Sequence, residues 1–486
     1  MLAVLLYLPT VGFDFVYDDV LQITLNPQVN GGSERGFGAL FSEPTPPGNL
    51  YRPLATASYR ITFMLGGGAA WIFHLVNVLL YGACAALVYA LYQRYLTTGA
   101  AFIAALLFVI HPIHVEVVAN SIGRAELLAA LGGLSGFLLL TGSGGIRRSA
   151  LGAALVFGGA LAKESTLTVY PLALGLVLLR GRAERRYGYA VTLFLLCGAF
   201  ALIYVALRAR ALGGALTLTS DGVAWVENPV FHLEFFERLI PCLKVLGDYV
   251  ALLLVPVRLS ADYSAVVGEF HHEVYSPVGA LRIGLFLLYV GLVWHFRRER
   301  WGFLGWWFLG AFLLTANLVV PIGTIMGERL AFLPSVGFIG FMVGMAAHFR
   351  DRFSPALVRL SVAGVVLFFS VRTLVRIPVW QTQERLLSQT VLDQPRSPKA
   401  LYNYGVELFV RQRDLAGAER VFLAVLSLVP DHLLSLQCLA DIALQRGDAV
   451  NLERWYRRIL ELRPGEPLIE EQLRKLLEMQ AAKASV

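Results

Sequence analysis

The chain has 486 residues, 57% of them hydrophobic and only 15% charged, with a formal net charge of +7. Its mean hydropathy of +0.63 lies far above the near-even balance of soluble domains, which excludes an ordinary soluble enzyme and indicates a polytopic membrane protein. The positive charge does not point to nucleic acid, because the Arg residues cluster in short loops between apolar runs, as the positive-inside rule describes.

Apolar stretches of spanning or near-spanning length occur at 1–16, 70–93, 100–118, 125–141, 149–163, 166–180, 187–207, 278–296, 303–321, 330–348 and 355–374, which predicts an all-α bundle of about eleven spans. The first is interrupted by Asp14 and is expected to be partial, with the true start upstream. It has neither the basic start nor the small-residue cleavage site of a signal peptide. Basic groups at Arg94, Arg147-Arg148, Arg180 to Arg186, Arg297 to Arg300 and Arg350 to Arg352 belong on the cytoplasmic side. Counting Ile240 to Val257 as a further span would put the last two groups outside. It carries Lys244 and Asp248, so it is expected to lie in the outer interface or to dip in without crossing. The N-terminus is then inside, and segments 14–69, 208–277 and everything after 376 face the periplasm or lumen. Cys84, Cys197, Cys242 and Cys438 have no metal-like spacing.

The membrane domain is expected over 1–375, a linker over 376–396 and a soluble helical domain over 397–486. In the tail, Ala400 to Gly405, Asp414, Ala418 and Pro430 align with Leu436 to Ala440, Gly447-Asp448, Tyr456 and Pro464. The 34 residues from Pro430 to Pro464 are the tetratricopeptide period. Two repeats and a terminal helix from Pro467 to Ala482 are near the minimum for a repeat core, so docking on the membrane domain is expected. Such repeats bind extended peptides, or serve only stability and assembly.

Ionisable residues beside the hydrocarbon are functional candidates, because they are costly there unless they bind something. On the outer side these are Asp18-Asp19, Tyr51-Arg52-Pro53-Leu54, Arg60, His111-Pro112-Ile113-His114 with Glu116, Arg124 with Glu126, Lys163-Glu164 and Glu328-Arg329. Paired carboxylates suit deprotonation of a hydroxyl, since proximity raises one pKa. Cations beside them suit the phosphate leaving group of a lipid-linked donor. Competing readings are an N-cap or loop role for Asp18-Asp19, interhelical hydrogen bonds for His74 and Asn77, and structural ion pairs for Arg124–Glu126 and Glu328–Arg329. A metal held by His111, His114 and Glu116 is not expected, because the Pro-broken helix gives poor geometry. Asp262-Tyr263 is placed at the acceptor entrance. No Walker loop, dinucleotide fingerprint or serine-hydrolase elbow occurs, and no cofactor is expected beyond the donor.

Asp18-Asp19 with Asn26-Pro27, Tyr51 to Leu54, Phe73-His74 with Asn77, His111 to His114 with Glu116, Gly123 to Glu126, Lys163-Glu164, and Glu328-Arg329 with Leu333-Pro334-Ser335 occur in that order. Together they resemble the transmembrane and tetratricopeptide-repeat-containing (TMTC) O-mannosyltransferases, membrane glycosyltransferases of the GT-C fold. The resemblance covers nearly the whole chain. It implies an inverting transfer of a hexose from a polyprenyl- or dolichyl-phosphate carrier to Ser or Thr of exported protein, with Asp18 and Asp19 as the catalytic acids. Arg329, Lys163 and Arg52 are then expected to be donor-phosphate partners, with Glu164 and Glu328 beside them. His74, Asn77, His111, His114, Glu116, Arg124, Glu126 and Asp262 support the pocket. The few repeats, short N-terminus and Ala/Gly/Arg-rich composition suggest a bacterial inner-membrane protein using undecaprenyl phosphate; in a eukaryote the site would be the ER. Two other readings stay open: a non-enzymatic membrane-anchored repeat scaffold, and sugar transfer onto a lipid or glycan.

Overall fold

A computed structural model describes residues 1–31, 36–46, 50–142, 145–180, 184–214 and 226–484. Part of the Arg180 to Arg186 cluster and parts of both expected outer loops lie outside these residues. The described chain is all-helical apart from an isolated antiparallel bridge between Thr45 and Leu50.

Every apolar stretch read from the sequence contains helix, but the helices differ in length. Among the described residues six, Ala70–Tyr92, Ser121–Leu140, Gly188–Ala211, Pro277–His295, Glu328–Arg352 and Pro355–Trp380, are long and apolar enough to cross a membrane. A seventh crossing is possible in composition if Thr98–Val109 and Pro112–Ala119, bent by 48°, count as one broken span. Leu2–Gly12, Glu164–Leu179 and Gly302–Ala311 are shorter apolar helices, and Ile146–Ala162 has 17 residues. The expected count of about eleven thus divides into full-length and short apolar helices. The Ile240 to Val257 stretch lies within helix Phe235–Leu254, which is not among the membrane-length helices. Its Lys244 is held at 2.9 Å by both Asp248 and Glu273.

The break at Pro112 has a local cause. Proline supplies no N–H and clashes with the preceding turn, so the carbonyls just before it lose their helical partners. Side chains replace them: the Tyr81 hydroxyl donates to Phe108 O (3.1 Å) and Val109 O (3.0 Å), and the Thr373 hydroxyl donates to Ile110 O (2.6 Å). A broken helix at membrane depth is tolerated only where such groups are satisfied within the protein.

The bundle has two distinct ends. Asn77 and Arg124 join the N-terminal ends of Ala70–Tyr92 and Ser121–Leu140 (3.0 Å). Arg94 meets Leu138 O (2.9 Å) and the Thr141 hydroxyl (3.2 Å) at the opposite ends of the same helices. At the Asn77 end the irregular segments converge. Asp14 N donates to Gln381 O (3.1 Å) and Tyr17 N to Gln383 Oε1 (2.6 Å). Ala265 N donates to Val226 O (3.2 Å), and Ile325 N to Glu227 O (3.1 Å).

The stretch expected as a linker is structured. It forms a tight turn at Ile377–Trp380 and helix Gln383–Asp393, whose Leu386 is buried with Ile377 and Trp380 in the core of the membrane portion. Beyond it, Pro398–Val406, Leu415–Leu428, Leu433–Arg446, Ala449–Leu462 and Pro467–Ala484 build a separate core around Phe422, Leu436, Leu439, Trp455 and Ile459. The small residue at Gly405 is required, because a Cβ there would lie 2.7 Å from the Phe422 ring. Gly447 ends its helix at φ +68°, and Asp448 caps the next by accepting from Asn451 N at 3.1 Å.

Candidate active site

At the converging end the structure encloses a cavity of about 500 Å³, within the usual range for small-molecule clefts. The backbone at Tyr17 shapes one wall. Its φ of +54° is uncommon for a bulky residue and is the kind of strain found at functional sites. This turn sends the two neighbouring carboxylates different ways. Asp18 lines the cavity, with its Oδ2 3.7 Å from Arg329 Nη1. Asp19 is fully buried and accepts from Ile122 N (2.9 Å), Ser121 N (3.3 Å) and Val16 N (3.3 Å). Burial pushes its carboxyl up to about 7, against the lowering effect of those N–H groups.

The turn that Asp19 holds is part of the cavity wall through Ile122 and Gly123. Only glycine fits at 123, since a Cβ would lie 2.1 Å from Val117 O. Asp19 therefore fixes the wall, whereas Asp18 faces the space.

Four of the cavity cations are each set by a carboxylate. Arg52 makes a two-pronged pair with Glu164 (Nη2 to Oε1 2.9 Å, Nε to Oε2 3.3 Å), and this pairing keeps Arg52 charged despite its desolvation. Lys163 pairs with Glu126. Arg329 donates through its backbone N to Glu116 Oε2 (2.9 Å) and through Nη1 to Oε1 (3.2 Å). Its guanidinium thus bridges Glu116 and Asp18. Lys399, from the tail, meets Glu227 at 2.8 Å and lines the same cavity. Asp262 lines it too, and its Oδ2 accepts from the Ser397 hydroxyl at 2.6 Å and from Ser264. Positioned cations with one open carboxylate can bind an anionic group and accept a proton beside it.

No family model matches the chain, and no solved structure matches it. It is 27% identical over 422 residues to the Caenorhabditis elegans Protein O-mannosyl-transferase F38B6.6, covering 83% of this chain and 58% of that protein. It is 28% identical over 465 residues to mouse Protein O-mannosyl-transferase TMTC4, covering 81% and 61% respectively. With Drosophila melanogaster Protein O-mannosyl-transferase Tmtc2 the identity is 38% over 313 residues, covering 60% of this chain and 33% of that one. The chain is TMTC-like. It spans less than two thirds of the length of each of these relatives.

In this TMTC-like chain the residues singled out from sequence separate into two groups. Asp18, Arg52, Glu116, Glu126, Lys163, Glu164, Asp262 and Arg329 come together around the cavity. Asp19, His74, Asn77, His111, His114, Arg124 and Glu328 do not line it. Arg124 is wholly buried and clamps three helices, donating to Asn77 Oδ1 (3.0 Å), Ser58 O (3.1 Å), Thr62 Oγ1 (2.7 Å) and Phe73 O (3.0 Å). Asn77 in turn donates to Asn120 O and Ser121 O, steadying the turn that Asp19 also holds. His114 bridges Phe108 O (2.8 Å) and Ser335 Oγ (2.9 Å) at the helix break, and His111 reaches Leu253 O (3.1 Å). His74 packs edge-on to Phe13. Glu328 lies behind the cavity, accepting from Ser260 N (2.6 Å) and the Tyr263 hydroxyl (3.1 Å), with Arg376 at 3.7 Å. Among the described residues no three His, Cys, Asp or Glu side chains gather as a metal site would need.

Sequence reading missed Tyr17, Tyr59, Arg208, Thr315 and Lys399 as cavity residues. A signal did exist for Lys399. It sits in the first turn of helix Pro398–Val406, where a positive charge opposes the helix dipole.

Proposed function

We propose that this chain is a membrane glycosyltransferase that moves a hexose, mannose in the first instance, from a polyprenyl-phosphate carrier to Ser or Thr hydroxyls of exported proteins. The observation that carries the reading is Asp18, an open carboxylate in a cavity whose cations Arg52, Lys163 and Arg329 are already aligned by acidic partners. The names of the relatives, all protein O-mannosyl-transferases, support the choice of sugar and of a protein acceptor.

In this mechanism Asp18 is the general base. It takes the proton of the acceptor hydroxyl as that oxygen bonds to the anomeric carbon of the sugar. The bond from that carbon to the phosphate oxygen breaks, and the electron pair leaves with the carrier phosphate. Arg329, Arg52 and Lys163 stabilise the phosphate as it gains charge. Attack from the face opposite the leaving group inverts the anomeric centre. Asp19 positions Asp18 by holding the adjacent turn. The cavity end of the bundle is the outer face in this reading, with the basic loops on the cytoplasmic side.

The test is direct. Purified protein in nanodiscs, given polyprenyl-phosphate mannose and a Ser/Thr peptide, is expected to add hexose-sized mass to the peptide. Absence of any added mass, together with unchanged masses of exported proteins in a deletion strain, would favour the scaffold. Mass appearing only on lipid or glycan would identify a different acceptor.

A further inference from the structure

The cavity charges divide into two sets. One set, Arg52–Glu164 and Lys163–Glu126, is carried by the first outer loop and the cavity ends of the apolar helices. The other, Asp262 and Lys399 with its partner Glu227, is carried by the second outer loop and the tail. The Asp18–Arg329 contact lies on the cavity with both.

A joint fixes the second set in place. Ser397 caps helix Pro398–Val406 by accepting from Ala400 N at 3.0 Å, and its hydroxyl also donates to Asp262 Oδ2 at 2.6 Å. The Ser264 hydroxyl joins the same oxygen and lies 2.8 Å from Ser397 Oγ. All three side chains are buried. Lys399 is thereby held at the cavity two residues beyond this joint, in a helical turn whose dipole disfavours a cation. Glu227 takes one of its ammonium donors, and an ammonium has three.

We infer that Lys399 binds the acceptor polypeptide, so that the tail's first helix is part of the active site itself. This rests on the proposed transferase reading. In an in-line displacement the nucleophile and the leaving group lie on opposite sides of the reacting carbon. Arg52 and Lys163, set beside the ends of the apolar helices, suit the phosphate of a donor anchored in the bilayer. The tail-borne set faces the other reactant, which arrives from water, and Lys399 donates to a backbone carbonyl of that peptide.

Initial rates are to be measured on the full chain in nanodiscs, with polyprenyl-phosphate mannose and a Ser/Thr peptide, for wild type, Lys399→Met and Lys399→Arg. Loss of one charge-assisted hydrogen bond predicts about a tenfold rise in peptide KM for Lys399→Met. Donor KM stays at the wild-type value, and Lys399→Arg recovers most of the peptide affinity. A merely structural lysine would lower the melting temperature and all rates together, which overturns the inference. So does an unchanged peptide KM, or a rise confined to donor KM. A wild-type protein that transfers no sugar overturns the transferase reading and the inference with it; an active wild type with an indifferent Lys399→Met overturns the inference alone.

Discussion

The Asp18 side chain is 34% exposed beside Arg329, whereas Asp19 is sealed beneath the Ser121–Gly123 turn. Replacing each one therefore probes a different property. Asp18→Asn keeps the shape but removes the proton acceptor, so transfer should fall by about 10² to 10⁴-fold, as loss of a general base does. Its melting temperature should match wild type, and peptide mass spectrometry with fluorimetry checks both. Retained activity would remove Asp18 from the chemistry. Asp19 is tested through pH. Its folded carboxyl titrates at about 7, while an unfolded one titrates near ~4. Between those values the unfolded chain has released a proton that the folded chain keeps, so rising pH favours unfolding. Stability from this group is full below about 4 and lost as pH climbs through about 7. Asp19→Asn lacks the titration, so its melting temperature relative to wild type should climb across that window and level off above it. A constant difference would contradict the buried, raised carboxyl.

At the scale of elements, Arg124 ties helices Pro53–Gly66, Ala70–Tyr92 and Ser121–Leu140 through hydrogen bonds from each of its nitrogens. Lysine cannot reproduce that planar fork. Arg124→Lys should cost about 2–3 kcal/mol by leaving buried acceptors unpaired, read as a lower melting temperature in detergent, while Asp18 remains unchanged in place. The same residue shows where sequence reading reached its limit. A charge near the hydrocarbon is visible in the sequence, but whether it faces a ligand or neighbouring carbonyls depends on side-chain direction. Arg124, Asn77 and His114 serve backbone groups; Arg52, Lys163 and Arg329 face the cavity. Helix positions were legible because apolar length and composition carry them. The helical turn and helix inside 376–396 were not, because Trp380 and Leu386 gain their place from the core they enter.

For the whole molecule, the tail is joined at successive points, and two truncations separate them. A chain ending at Pro395 keeps helix Gln383–Asp393, the Tyr17–Gln383 bond and the Arg376–Asp393 pair (3.2 Å), but loses Ser397 and Lys399. It should fold and hydrolyse donor while losing peptide transfer. A chain ending at Gln381 also releases Tyr17, so donor hydrolysis should disappear as well. Equal behaviour of the two, by product analysis and melting, would show that the helix after the last span does not support the Asp18 turn. Asp18, Arg52, Lys163 and Arg329 could be found in sequence because each is a charge set beside apolar neighbours. Lys399 is surrounded by polar tail sequence, where its place in the first turn of a helix is the one sign that sets it apart.

The helix break at Pro112 also bears on how the protein is made. Ile110 O waits for a hydroxyl that lies 263 positions later in the chain. A ribosome delivers the N-terminal part first, so this carbonyl must rely on water or a temporary partner until the helix bearing Thr373 joins the bundle. Glu116, just beyond the break, holds Arg329. The cavity thus reaches its working form only after the segments bearing Arg329 and Thr373 have been made, and a chain halted before them cannot carry a finished site.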